Sequence, residues 1–227
     1  MDKNKEQIIT SGLYLVSTPI GNLGDITNRA LKVLQMSNII LCEDTRRSVK
    51  LFSHFGIKGK LMAYHKYNEK KISNEIIDII KKNKIVSLIS DAGTPSISDP
   101  GMVIINKCIE EKIDIHPVPG ASAVTSAISV SGFKDKYLFY GFLTKKENEL
   151  ERVLNNLKDI NYSLVFFIPA SKINYYINEF KNFYTVNEEQ LIEYFMNSNF
   201  QDNLCLYIIP TDDFFNSEDF GYLICWR

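Results

Sequence analysis

The sequence predicts an α/β fold, and three observations carry that prediction. Short runs rich in Ile and Val alternate with segments whose apolar residues recur every three or four positions, the pattern of βαβ units around a mainly parallel sheet. Polar loops dense in Gly, Pro and Asp follow several of those runs, where such a sheet presents its carboxyl edge. The composition, 45% hydrophobic and 23% charged over 227 residues, is ordinary for a globular protein with a real core.

Taken in order, "LYLV" (13–16) reads as the first strand, "ALKVLQM" (30–36) as a helix, "IILC" (39–42) as a strand and "VKLFSHF" (49–55) as a helix. In "ISNEIIDIIKK" (72–82), Ile72, Ile76, Ile77, Ile79 and Ile80 form a core stripe, and Lys81 and Lys82 suit the negative end of the helix dipole. Next come a strand at "IVSLI" (85–89), a helix at "MVIINKCIEE" (102–111) and a strand at "IDIHPVP" (113–119). "GASAVTSAISVSG" (120–132) reads as a helix of small residues whose backbone can lie close to a neighbour. Strand character resumes at "KYLFYGFL" (136–143), then a polar helix at about 145–158, a strand at "YSLVFFI" (162–168) and a helix near 171–181. Two late strands, "LCLYIIP" (204–210) and "YLICWR" (222–227), complete the pattern. A boundary near Pro117–Gly120 divides the chain into domains 1–118 and 119–227.

No stretch reaches the ~20 apolar residues of a membrane span, and "MDKNKEQIIT" lacks the apolar segment of a signal peptide, so the expectation is a cytoplasmic protein without a membrane partner. Cys42, Cys108, Cys205 and Cys225 stand singly in apolar runs, as buried free thiols do, and no His/Cys cluster calls for a metal. Net charge is −1, but residues 1–118 carry 17 Lys and Arg against 13 Asp and Glu, and residues 119–227 carry 9 against 14. A polyanion would be steered toward the first half.

Four loops should meet on one rim: "STPIGNLGDIT" (17–27), "CEDTRRS" (42–48), "SDAGTPSISDPG" (90–101) and "PVPGASA" (117–123). Each alone is explained by turn geometry. Together they place charged and hydroxyl groups on one edge, which turns alone do not require. No G-x-x-x-x-G-K-[ST] and no G-x-G-x-x-G after the first strand is present, so a P-loop or dinucleotide site is disfavoured, and no nucleophile elbow supports a hydrolase triad. His54 and His116 lie in apolar contexts that suit structural imidazoles.

"LYLVSTPIGNLGDITNRAL", "CEDTRRSVKLFSHFGI", "SDAGTPSISDPG" and "VPGASAVTSAISVSG", in this order and spacing, resemble the tetrapyrrole methylase superfamily over about residues 12–145. Within it they are similar to the branch that methylates the 2′-hydroxyl of a cytidine in small-subunit ribosomal RNA. The resemblance implies two α/β domains, with a mainly parallel sheet in the first and a mixed, shortened second. It also implies a homodimer and S-adenosylmethionine bound between the domains without a metal. Carried over by position, the cofactor contacts would be Pro19, Ile20, Ala92, Gly93, Thr94, Ile97, Ser122, Ala123 and Ile168.

Methyl transfer to a hydroxyl needs alignment and a proton acceptor, for which the rim offers Asp25, Glu43, Asp44 and His65. Asp25 equally suits helix capping, and Glu43 and Asp44 equally suit ion pairs with Arg46 and Arg47. Those arginines, with Tyr64 and Tyr67, are the candidates for RNA phosphate contacts and base stacking, and packing is the competing role of Tyr64. The pattern departs from the family at "FFIPASK" (166–172), where an acid and a His-Arg pair are usual, and no Arg-Glu-Leu-Thr-Lys motif is evident around "FYTVNEEQLIEYF" (183–195). A corrin or porphyrin methylase, and a noncatalytic RNA- or adenosyl-binding descendant, are the alternatives.

Overall fold

In a computed structural model, the described residues are 8–130, 136–158, 160, 162–184, 204–208 and 221–226. The chain divides into two compact units at Ser122/Ala123, against the expected 118/119.

The first unit is a five-stranded sheet of β1 (Gly12–Val16), β2 (Ile39–Cys42), β3 (Leu61–Ala63), β4 (Ile85–Leu88) and β5 (Ile115–Val118), in the order β3-β2-β4-β1-β5. Every described pairing in it is parallel. Both faces are covered, which is why β2 is buried at all four positions and reads as an unbroken apolar run. Side chains alternate between two cores. Leu13, Leu41, Val86 and Leu88 pack with Ile76, Ile77 and Ile80 of α3 (Glu69–Lys81) and Ile104 of α4 (Met102–Glu110). Tyr14, Val16, Ile40 and Cys42 pack with Ala30 and Leu34 of α1 (Asn28–Met36) and Phe52 of α2 (Thr45–Phe55).

This arrangement positions the site. Neighbouring strands β1 and β4 send their chains to helices on opposite faces, α1 and α4, and in opposite directions along the sheet, to β2 and β5. Their carboxyl ends therefore form a topological switch point, where the departing loops leave a crevice.

The second unit contains α5 (Ala123–Val130), β6 (Tyr137–Phe142), α6 (Glu147–Leu157), β7 (Ser163–Pro169), α7 (Ile173–Tyr184), β8 (Leu204–Ile208) and β9 (Gly221–Trp226). Its described sheet runs β6-β7-β9-β8, parallel between β6 and β7 and antiparallel elsewhere. On one face Phe166 and Ile168 pack with Leu150, Leu154, Tyr176 and Phe180 of α6 and α7; on the other Val165 packs with Val124 and Ala127 of α5.

Strand β3 has no counterpart in the sequence reading. It is three residues long and contains no β-branched side chain, so neither length nor propensity marks it. The helix expected at 120–132 begins at Ala123, with residues 131 and 132 outside the described range, as are residues 209, 210 and 227 of the late strands. Cys42 and Cys108 are buried free thiols, and the side chains of Cys205 and Cys225 lie outside the described residues.

Candidate active site

Within the first unit the loops after β1, β4 and β5 are tied into one wall. Thr18 and Gly93 exchange both backbone hydrogen bonds, Thr18 N to Gly93 O at 2.9 Å and Gly93 N to Thr18 O at 3.1 Å. The Thr18 hydroxyl donates to Ser90 O at 3.2 Å. Ser17 Oγ and Thr94 Oγ1 are 3.0 Å apart, Thr94 Oγ1 donates to Ala121 O at 3.3 Å, and Ser17 N donates to Val118 O at 3.2 Å. Gly93 has φ +82°, and a Cβ there would stand 3.3 Å from Ile20 Cγ2 and 3.8 Å from Ala121 O. Position 93 thus requires glycine for conformation and for the approach of its neighbours.

The rest of the 90–101 loop is shaped by left-handed backbone. Ser96 and Ser98 have φ of 64° and 66°, and Gly101 has φ 149° with no room for a Cβ, which would lie 2.9 Å from both Leu88 Cδ2 and Ser96 Cβ. Folding the chain back so tightly buries Pro95, leaves Ile97 exposed as an apolar surface, and turns Asp99 toward Ser90.

The loop after β2 joins the same rim through charge. Asp44 caps α2 by accepting from Arg46 N at 2.8 Å, and its carboxylate also takes Arg46 Nε at 3.2 Å and an Arg46 terminal nitrogen at 2.9 Å. Those Arg46 hydrogen bonds lower its pKa to about 2, which suits a helix cap and makes it a poor proton acceptor at neutral pH. Asp91 bridges the second and third loops: Oδ1 accepts from Asp44 N at 3.3 Å and Oδ2 pairs with Arg47 Nε at 3.4 Å. Glu43 and Asp99 behave in the opposite way from Asp44. Glu43 is exposed as a residue, and only the partial desolvation of its carboxyl, with the Asp91 charge, raises it, while His65 and Arg47 oppose. Burial, then the charges of Glu43 and Asp91, push Asp99 up to about 6, against a hydrogen bond from Ser90. Two carboxyl groups at one rim thus have raised proton affinity, a feature enriched at functional sites.

The sequence candidates are distributed as follows. Pro19, Ile20, Ala92, Gly93, Thr94, Ile97 and Ser122 belong to the clasped loops of the first unit, whereas Ala123 opens α5 and Ile168 is buried in β7 of the second. Glu43, Asp44 and His65 lie at the carboxyl ends of β2 and β3. Asp25 is exposed on a 3-10 turn, and the cap of α1 is Thr27, which accepts from Ala30 N at 3.1 Å. Tyr64 is 1% exposed, with its hydroxyl accepting from Ile104 N and bonded to Ser73, so it packs the core and offers no ring for stacking; Tyr67 is 95% exposed. The Arg46 side chain is 88% exposed and that of Arg47 33%, the latter being braced against Asp91. Sequence reading passed over Asp91 and Asp99, because an aspartate among prolines and glycines reads as turn chemistry. Their signal was placement, both within the loop that leaves β4 at the switch point. The "FFIPASK" departure spans the end of β7 and a 3-10 turn at Ala170–Lys172, and residues 185–195 of the second departure lie outside the described range.

Among the described residues no group of three His, Cys, Asp or Glu is arranged to hold a metal, and no helix is long and apolar enough to cross a membrane. Beside the clasp Ile97 is exposed and Ile20 half-exposed, apolar surface of the kind that suits a nucleoside-bearing ligand.

Comparison with known proteins identifies the family. The chain is 43% identical to the ribosomal RNA small subunit methyltransferase I of Mesomycoplasma conjunctivae over 78% of its length and 74% of the relative's. It is 47% identical to the protein of that name from Thermotoga maritima, covering 71% of the chain and 72% of the relative. For the Haemophilus influenzae protein the values are 41% identity, 73% and 59%. The family profile described as Tetrapyrrole (Corrin/Porphyrin) Methylases matches residues 12–191, which includes all four loops. The chain belongs to the tetrapyrrole methylase family.

Proposed function

We propose that this protein transfers a methyl group from S-adenosylmethionine to the 2′-hydroxyl of a cytidine in small-subunit ribosomal RNA. The observation that carries the reading is the 41–47% identity, over 71–78% of the chain, to relatives named ribosomal RNA small subunit methyltransferase I. Bound at the clasped wall, S-adenosylmethionine supplies a sulfonium-activated methyl carbon and leaves as a neutral thioether. The chain's own part is to bind, align and accept a proton. Pro19, Ile20, Ala92, Gly93, Thr94, Ile97 and Ser122 would hold the cofactor from the first unit, with Ala123 and Ile168 contributing from the second.

Arg46, 88% exposed in the first turn of α2, and Tyr67, 95% exposed after β3, suit a phosphate and an unpaired base. Arg47 divides its role between Asp91 and RNA. The reading includes action as a cytoplasmic homodimer on the ribosomal subunit. Alignment of oxygen, carbon and sulfur supplies most of the rate, because in-line displacement is sensitive to angle and distance.

The test is incubation with label-bearing S-adenosylmethionine and either small ribosomal subunits or a precorrin, followed by nuclease digestion. Label in a cytidine ribose is expected. Label in the macrocycle would favour the chemistry in the family's description, and binding without turnover would favour a noncatalytic descendant.

A further inference from the structure

We propose that Asp91 is a positioning residue whose carboxylate fastens the cofactor-facing loop to the amino end of the RNA-facing helix α2, so that each ligand is held partly through a residue of the other's loop. This inference deepens the reading of the protein as an S-adenosylmethionine-dependent RNA methyltransferase and rests on it.

Asp91 stands two residues before Gly93 in the loop that leaves β4. The backbone on either side of it is fixed. Gly93 exchanges both backbone hydrogen bonds with Thr18, and the Ser90 hydroxyl donates to Ala92 O and Gly93 O at 3.2 Å each. From this anchored base the Asp91 side chain reaches α2 with its two oxygens divided: Oδ1 accepts from Asp44 N at 3.3 Å, and Oδ2 pairs with Arg47 Nε at 3.4 Å. The first contact holds the helix cap itself. Asp44 caps Arg46 N at 2.8 Å, and its carbonyl accepts from Ser48 N at 3.2 Å and Ser48 Oγ at 3.1 Å, so fixing the Asp44 amide fixes the turn that carries both arginines. The second contact orients one of them. The paired side chains are 24% exposed for Asp91 and 33% for Arg47, against 48% on both sides of the surface pair Lys81–Glu111, so solvent screens the bridge less. A guanidinium already held in one orientation loses less freedom when it meets a phosphate.

The test is a pair of binding measurements in which bare charge and positioning predict opposite signs. Removing a carboxylate from a rim that meets a polyanion should by charge alone tighten RNA binding, and removing a cation should by charge alone tighten the binding of a sulfonium. Positioning reverses both. Without cofactor, Asp91→Ala should bind small ribosomal subunits roughly three- to tenfold more weakly than wild type; in calorimetry without RNA, Arg47→Ala should lose S-adenosylmethionine affinity by a similar factor. The double variant should bind the cofactor no more weakly than the weaker single variant, because both substitutions break one contact. Asp91→Asn, whose carbonyl can still accept from the Asp44 amide, should recover part of the subunit affinity. Subunit binding that tightens in Asp91→Ala, cofactor binding unmoved in Arg47→Ala, or additive losses in the double variant overturns the role of Asp91 alone. Wild-type protein that binds S-adenosylmethionine but not small subunits overturns the reading beneath it, and the proposal with it. If Asp91→Ala loses its fold by circular dichroism, Asp91→Asn and Arg47→Ala decide by the same signs.

Discussion

The two edges of the first sheet use the same strands for different ends. At the amino edge, α1 runs into β2, α3 into β4 and α4 into β5 through short turns fastened mainly by backbone. Asn38 N donates to Ile85 O at 2.8 Å, the Asn38 side chain accepts from Ile85 N at 2.9 Å, and Ile113 N donates to Cys108 O at 2.8 Å. Left-handed Asn83 (φ 57°) and Lys112 (φ 54°) simply end helices there. At the carboxyl edge, left-handed Ser96 and Ser98 end nothing. They shape a loop joined by side chains to its neighbours, in which the Asp99 carboxyl has a raised pKa. Unfavourable backbone marks function only where a network of contacts holds it for a purpose other than reversing the chain.

The largest test of that contrast is Gly93→Val. Its φ of +82° and the 3.3 Å clearance to Ile20 leave no place for a branched side chain, so the Thr18–Gly93 clasp must open. Affinity for S-adenosylmethionine should fall by roughly 100-fold or more, the effect of several kcal/mol of misfit at a site that must stay closed. Calorimetry reads it directly. Binding within a few-fold of wild type would remove the carboxyl edge from the account.

Next comes a stability effect with a sign. The folded Asp99 carboxyl holds its proton to about pH 6 against the ordinary aspartate value of 3.8, so raising pH through that window ionises a group whose charged form the folded state disfavours. Asp99→Asn should therefore stabilise the protein at pH 7–8, with the gain fading toward pH 4. Full linkage would give about 3 kcal/mol, and partial solvation of the carboxyl reduces this to roughly 1–2 kcal/mol. Denaturant unfolding at the two pH values checks it. A variant less stable at pH 8 than at pH 4 relative to wild type would contradict the arrangement of Glu43 and Asp91 around it.

A smaller effect separates the adjacent arginines. Arg46→Ala removes an exposed cation and should weaken RNA binding by roughly three- to tenfold, with the salt dependence shallower by about one counterion, while cofactor affinity is unchanged. Arg47→Ala also removes the brace on Asp91 and should weaken both. Calorimetry that finds cofactor affinity lost in Arg46→Ala with RNA affinity intact would reverse the assignment.

The sequence made the sheet legible because parallel strands covered on both faces are apolar runs, and β1, β2 and β4 have that form, whereas β5 is an edge strand with one buried residue. It made the carboxyl-edge loops legible because Gly, Pro and Asp accumulate only where backbone must turn in unusual ways. What it hid followed from local reading. Tyr64 opens a polar stretch in "AYHKYNE", and only the β2–β3 pairing, with Tyr64 N donating to Cys42 O at 2.8 Å, shows that its ring points into the core. Asp91 and Asp99 looked like turn formers until the fold brought Glu43 from another strand against them.

The smallest effect belongs to the amino edge, and it is the sharpest control. Lys112 is left-handed at the end of α4, an exposed position where its N–H reaches Ile109 O at 3.2 Å and the next N–H, of Ile113, closes on Cys108 O. A β-carbon costs about 1 kcal/mol in that region, and glycine gives part of this back through the entropy of the unfolded chain. Lys112→Gly should therefore raise stability by roughly 0.5 kcal/mol, seen as a higher denaturant midpoint at unchanged slope. S-Adenosylmethionine affinity and turnover should not move, since no described contact runs from this turn to the clasped loops. If relieving strain here altered binding as Gly93→Val does, left-handed backbone would report on the site from either edge, and its concentration in the 90–101 loop would lose its meaning.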